Sequence, residues 1–318
     1  MEADSLRRKF RNTAKIMFSV IATAAAALRV TSPPSLPLPP DSHSPWVLSM
    51  RRLAVSTNPV HGGGHFFSDS LSAPSCLVQV VPQPGGAVRM QLGAWGDAAA
   101  AVRVCVEALG DTDTGTANAN ALTIAALDHD LVSQIQEALG ALGWKLAWGP
   151  RGNGLYVKPA TDLGGGGAAA PRPPVTLPDG YTLRPLRSED AELVDSRWAF
   201  RSATSLELVR SMVAERLGCV GVEDARGALC GWILRYAKGD SGMFHVEEAH
   251  RRQGLASALL QRAAAELEAA GEPAFAHVVE GNAASERCFE KNGWVRVGTA
   301  DWLGFERSSD GAPAAAHA

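Results

Sequence analysis

The stretch from Met243 to Val279 constrains the fold more than any other part of the chain. Met243-Phe-His-Val246 and Phe275-Ala-His-Val-Val279 both have the bulky apolar make-up of strands. Between them run Glu247-Glu-Ala-His-Arg-Arg-Gln-Gly-Leu-Ala256 and then a helical pattern. Leu255, Leu259, Ala263 and Leu267 fall on one face of it, with Gln261, Arg262, Glu266 and Glu268 elsewhere. Strand, basic loop, helix and strand make a parallel unit with a right-handed crossover. The loop is chemically pointed. Gly254 permits close approach, and the free amides of the first helical turn, at the positive end of the helix dipole, form an anion cradle. Arg251 and Arg252 add charge beside it. Taken alone, these six residues read equally as a solvated loop capping a helix.

The flanks supply the rest of a sheet. Upstream, Tyr181–Arg184 is a short strand, Ser188-Glu-Asp-Ala starts a helix with a hydroxyl cap, and a second helix covers Ser205 to Leu217. Cys219–Val222, the turn Asp224-Ala-Arg-Gly227 and Ala228–Arg235 read as a hairpin. Downstream, Ala283–Lys291 is a helix, and Trp294–Val297 and Trp302–Phe305 close the sheet. Trp198, Phe200 and Trp232 read as core rather than as an acceptor pocket.

An earlier lobe, residues 66–160, alternates strand and helix patches. Leu77–Val81, a turn at Pro82–Gly86, Val88–Leu92 and Ala121–Leu127 come first. Asp130 then caps a helix through Leu131, Ile135, Leu139 and Leu142, and Trp144–Trp148 pairs with Leu155–Val157 across a turn at 149–154. Asp128-His129-Asp130 reads as a cap, since three adjacent residues do not converge on one ion. Four glycines at Gly164–Gly167, followed by Pro171, Pro173 and Pro174, separate this lobe from the next. The expected organisation is a segment at 1–48 that is disordered or targeting, a lobe at 66–160, a linker at 161–176, a domain at 177–307 and a disordered tail at 308–318.

Two patterns in order sharpen the reading. Arg251-x-x-Gly254-x-Ala256 after a strand ending at Val246 resembles the pyrophosphate signature of the GNAT superfamily of acyl-CoA-dependent N-acyltransferases. Asn282-x-x-Ser285-x-x-x-Phe289-Glu-Lys-Asn-Gly293-Trp294 is similar to its second signature. The likeness covers about Leu177 to Phe305. Trp198-x-Phe200, Gly231-Trp232, Gly239–His245 and Ala276–Asn282 look more narrowly like the glycine N-acyltransferase-like branch, whose diverged amino-terminal lobe residues 66–160 would match. The resemblance implies an α/β fold with a mixed sheet and a splayed parallel strand pair. It also implies acetyl-CoA or another acyl-CoA as co-substrate, no metal, and an amine acceptor: glycine or another small amino acid first, a peptide amine second.

Acyl transfer from a thioester to an amine needs a grip on the carrier, polarisation of the carbonyl, a base for the amine and a proton for the thiolate. In the resemblance the grip falls to Arg251, Arg252, Gln253, Gly254, Leu255 and Ala256, an amide near Val246 donates to the thioester oxygen, and Asn282 and Phe289 line the opposite wall. Base candidates are Asp240, His245 and Glu280, with His277 also of suitable pKa and water as the alternative. Much of the superfamily has a tyrosine acid where this chain has Phe289, and no tyrosine follows Tyr236. Ser285, Cys288 or water is then the acid, or the thiolate leaves unaided. A non-catalytic acyl-CoA sensor is the rival class.

Composition removes other classes. A formal charge of −3 argues against a nucleic-acid clamp. Neither Gly62–Gly64 nor Gly164–Gly167 has the lysine and leading strand of a nucleotide loop. Five scattered cysteines without a C-x-x-C pair predict neither a disulfide framework nor a zinc site, and fit a reducing compartment. The longest apolar run, Ile16 to Leu28, has 13 residues against the roughly 20 a membrane span needs. Arg7, Arg8, Lys9, Arg11, Lys15 and Arg29 precede or flank it without an acidic residue between 5 and 40. That pattern fits an organelle presequence (mitochondrion or plastid), with a secretory signal, or a poorly ordered tail or overlong translation start on a cytoplasmic protein, as alternatives; free cysteines disfavour export. The prolines from Pro33 to Pro40 form a spacer.

Overall fold

The computed structural model describes residues 28–30, 50, 52, 64–114, 116–159 and 176–307. The presequence and proline spacer, apart from 28–30, lie outside the described residues. So do the Gly/Pro linker up to residue 175 and the tail from 308. The described chain forms two units. Of the described residues, the first comprises 28–30, 64–114, 116–151 and 301–307, and the second 50, 52, 152–159 and 176–300.

In the first unit, strands β1 (Leu28–Val30), β2 (His65–Ser68), β3 (Cys76–Gln83), β4 (Ala87–Ala94) and β5 (Ala121–Asp128) are neighbours in that order. β1/β2, β2/β3 and β3/β4 are antiparallel, and β4/β5 is parallel, Ala87 facing Ala121. The parallel pair is possible because helix α1 (Ala98–Gly110) makes the crossover; Asp97 caps it by accepting the Ala99 amide at 2.9 Å. Val104, Cys105, Ala108 and Leu109 of α1 join Ile135 and Leu139 of helix α2 (Val132–Ala141) and the β-strand side chains in one core. Asp128, not Asp130, caps the turn leading into α2, by accepting the Asp130 amide at 3.1 Å. The stretch 28–30, within the segment expected to be disordered or targeting, is a paired strand.

Strand β6 (Trp144–Lys158) is one continuous strand of 15 residues, which replaces the expected hairpin. The residues read as a turn, between Gly149 and Gly154, lie inside it, and its end from Asn153 to Lys158 is paired with Val279 to Ala274. β12 (Val295–Arg307) is likewise a single strand of 13 residues rather than two. The unit boundary falls inside both, so the sequence-based limits at 160 and 307 are displaced: 152–158 go with the second unit and 301–307 with the first.

Within the second unit the strand order runs β6, β11 (Ala274–Val279), β10 (Ser241–Val246), β9 (Leu229–Arg235), β8 (Val220–Glu223), β7 (Thr182–Pro185). β6/β11, β9/β10, β8/β9 and β7/β8 are antiparallel, and β10/β11 is parallel. Helix α5 (Leu255–Ala269) crosses between β10 and β11, burying Leu255, Leu259, Leu260 and Leu267 among β8, β9 and β11 side chains. Each such leucine contributes about 1.5–3 kcal/mol by leaving water. In a second core cluster on β9, α3 (Ala191–Arg197) and α4 (Ser205–Glu215) cover Trp232 and Leu234 with Val194, Val209 and Met212. The expected Ser188 cap is not formed; Asp190 instead accepts the Arg187 amide at 2.7 Å and holds Arg184. Trp232 is core as read, whereas Phe200 is 53% exposed and packs edge-on to Trp198.

Candidate active site

β10 and β11 diverge. Their only ladder partners are Ser241 and Ala276, while β11 continues to pair with β6 as far as Val279 opposite Asn153. The cause lies in β10 itself. Its register with β9 shifts between Gly242 and His245, and Met243 sits at φ 48, so the strand bulges and swings away from β11. Gly231 permits this, since an added Cβ there would stand 2.9 Å from the His245 carbonyl oxygen. Past the bulge, the Glu247 amide donates to the Cys230 carbonyl at 2.8 Å. Backbone groups alternate sides along a strand, so the N–H and C=O of Val246 turn from β9 into the gap. The carbonyl is held there by Arg251, whose Nε donates to it at 2.9 Å.

Helix α5 opens onto the same gap. Gly254 is its N-cap at φ 83, a left-handed conformation that glycine adopts without strain, and no side chain caps the first turn. The amides of that turn remain as donors. A cavity of about 740 Å³ lies in front of them. One wall carries Phe244, His245 and Val246, the floor carries Arg251, Arg252, Gly254, Leu255 and Ala256, and the opposite wall carries Asn282, Ser285, Arg287, Cys288 and Lys291 of the turn into helix α6 and of α6 itself (Ala283–Lys291). Asn282 caps α6 by accepting the Ser285 amide at 3.2 Å. Uncapped amides, a glycine at positive φ and four cationic side chains around one cavity fit a diphosphate-bearing ligand.

The structure thus brings together His245, Val246, Arg251, Arg252, Gly254, Leu255, Ala256, Asn282 and Ser285. Four other candidates are placed elsewhere. Gln253 is exposed and does not line the cavity. Phe289 is 3% exposed and sits in the core against Tyr156, Phe244 and Trp294, because α6 turns it about 100° from Cys288. Glu280, past the end of β11, is half exposed and paired with Arg296 at 2.5 Å rather than facing the cleft. Asp240 is buried at the start of β10, bound to Lys238 Nζ at 3.0 Å and His277 Nδ1 at 3.1 Å. Burial alone would raise its pKa, but Lys238 and His277 outweigh it and hold the carboxyl at about 2. A base that weak, in an ion pair and off the cavity, is poorly matched to an amine.

His245 is the titratable base candidate that lines the cavity. Its ring stacks on Trp232 with centroids 4.8 Å apart, and Nε2 lies 3.7 Å from Glu247, itself held by Arg197 at 2.8 Å. Partial burial depresses its pKa, against the opposing pull of Glu247, so the ring is neutral at pH 7. The sequence reading passed over Arg287 and Lys291. They lie three and seven residues past Ala284, on one helical face, and that spacing was the available signal.

Comparison with known proteins agrees with this geometry. Residues 217–303 match the family model described as FR47-like protein. No curated protein sequence gives a match. Among solved structures, a Drosophila protein superposes with TM-score 0.59 at 20% identity, over 78% of this chain and 80% of that one. A tandem GNAT protein from the clavulanic acid biosynthesis pathway gives TM-score 0.52 at 16% identity, over 82% of this chain and 87% of that one. A GCN5-related N-acetyltransferase from Sphaerobacter thermophilus gives 0.51 at 16% identity, over 78% and 82%. A mixed sheet with parting parallel strands, matched over most of the chain by these structures, is the fold of the GCN5-related N-acetyltransferases.

Proposed function

We propose that the chain is an acyl-CoA-dependent N-acyltransferase working in the gap between β10 and β11. The single observation that carries this reading is the uncapped first turn of α5, with Gly254 at φ 83, facing a cavity of about 740 Å³. In this reading the amides after Gly254 hold the diphosphate of the co-substrate, and Arg251, Arg252, Arg287 and Lys291 balance its charge. The pantetheine arm lies along the gap. The Val246 amide, turned away from β9, donates to the thioester oxygen as charge builds on it. His245, neutral at pH 7, takes the proton of the attacking amine, and its ring is kept in place by Trp232 and Glu247. Ser285 is the proton donor for the departing thiolate, with Cys288 beside it on the same wall. The proposed acceptor is a small amino acid such as glycine, with a peptide amine second. Asp240, Gln253, Glu280 and Phe289 have no direct part.

One observation favours a second reading, an acyl-CoA sensor without turnover: Phe289 stands in the core and offers no acid. A thiol-release screen separates the two. Acetyl-CoA and benzoyl-CoA are each incubated with amino acids, polyamines and peptides, and free CoA is followed. Amine-dependent release supports the transferase; tight CoA binding with no release from any pairing supports the sensor; no CoA binding removes both.

A further inference from the structure

Among the described residues, one group brings together three side chains of metal-ligand type: Asp224, Cys230 and His250, whose ligand atoms all lie within 4.8 Å of one another. They come from three places the sequence does not connect by any motif. Asp224 opens the β8–β9 turn, Cys230 is the second residue of β9, and His250 ends the short turn before Arg251. Each is prepared by its neighbours. Both hydrogen bonds that Asp224 accepts in its turn, from the amides of Arg226 at 2.9 Å and Ala228 at 3.0 Å, fall on Oδ1. Neither of these two bonds engages Oδ2. His250 shares a hydrogen bond through Nδ1 with the Tyr181 hydroxyl at 2.8 Å, and the two rings meet edge-on. That contact fixes the ring and, with the proton on Nδ1, presents the Nε2 lone pair, the arrangement that orients metal-bound imidazoles generally. The Cys230 sulfur is buried beneath the turn, 3.1 Å from the Ala228 carbonyl.

We propose that Asp224, Cys230 and His250 form a binding site for a divalent metal ion of zinc type, with Tyr181 positioning the histidine. One thiolate, one imidazole and one carboxylate suit Zn²⁺ better than Mg²⁺ or Ca²⁺, which want oxygen alone. Tetrahedral bonds of about 2.0–2.3 Å put ligand atoms about 3.3–3.8 Å apart, so closing on the ion requires movements of about an ångström. The turn at Asp224–Gly227 and the half-buried side chains of Asp224 and His250 can supply these. On binding, the Cys230 thiol gives its proton to solvent and the sulfur electron pair to the metal, with no change of oxidation state. Water takes the fourth position. Because His250 also lines the cavity next to Arg251, the ion would tie the β8–β9 turn to the loop in front of α5. The site stands independently of the acyl-transfer reading.

The test uses the full chain, Zn²⁺ and Co²⁺. One Co²⁺ per chain is expected to bind and to give thiolate-to-cobalt charge-transfer absorption together with tetrahedral visible bands. Zn²⁺ should displace it. Cys230→Ser should abolish the charge-transfer band, Asp224→Asn should weaken Co²⁺ binding at least tenfold, and Cys288→Ser should leave both unchanged. No charge-transfer absorption in the unaltered chain overturns the proposal, as does a band that survives Cys230→Ser. Should Cys230→Ser fail to fold, Asp224→Asn decides: unaltered Co²⁺ affinity there overturns the site.

Discussion

Replacing Gly254 by valine tests the anion cradle from two sides at once. Gly254 sits at φ 83, where an L side chain meets the following carbonyl and costs roughly 1–2 kcal/mol, more for a β-branched one. The loop has two ways to respond. It can keep its geometry, in which case the strain appears as lost stability, about 2–4 °C of melting temperature per kcal/mol, and the new side chain stands in the cradle. It can instead relax toward negative φ, which turns the amides of Leu255 and Ala256 off the cavity. Either response weakens binding, and 1–2 kcal/mol corresponds to about a 5- to 30-fold rise in the CoA Kd. Gly271→Ala is the control. Gly271 has φ 68 and open space around an added Cβ, so it carries the same backbone strain at the far end of α5. Isothermal titration with CoA should show a weakened Gly254→Val chain and an unaltered Gly271→Ala chain, with both melting lower. A folded Gly254→Val chain that binds CoA as the parent does would refute the reasoning.

Three further outcomes are expected. His245→Ala should lower kcat at least tenfold, and the parent's rate should climb with pH through an inflection lying below the ordinary histidine value, because burial depresses the His245 pKa and the neutral ring is the active form; a His245→Ala profile superimposable on the parent's excludes this base. Asp240→Asn should destabilise by about 3–5 kcal/mol in denaturant titration, since it strands Lys238 in a buried site, yet leave the CoA Kd unchanged. The parent's own stability from this carboxylate is present above about pH 4 and is lost as pH falls toward 2, because its folded pKa lies below its unfolded one. Arg252→Gly relieves a non-glycine φ of 66, so it should raise the melting temperature slightly while weakening CoA binding through the lost charge.

Local patterns carried the second unit well and long-range pairing poorly. Ala283–Lys291 was legible to the residue because Asn282 caps it and Gly293 follows it. The loop and first turn of α5 were legible because Gly254 and two arginines sit between a strand and an amphipathic run. β6 and β12 were not, since Gly149-Pro150 and Gly298 look like turn residues, and the continuity of each strand depends on partners distant in sequence. α1 shows its Asp97 cap, but the alanine run that follows leaves the helical periodicity faint. At the site, motif position alone put Phe289 and Glu280 in the cleft. Helical phase rotates the first into the core, and Arg296 draws off the second. Asp240 illustrates the same limit, because its partners Lys238 and His277 come from β10's approach and from β11.

A structure of the chain crystallised with CoA is the most direct measurement. The diphosphate is expected within hydrogen-bond distance of the main-chain nitrogens that follow Gly254, and the pantetheine where β10 and β11 part. A diphosphate bound at any other place on the chain, with that turn of α5 left to solvent, would contradict it.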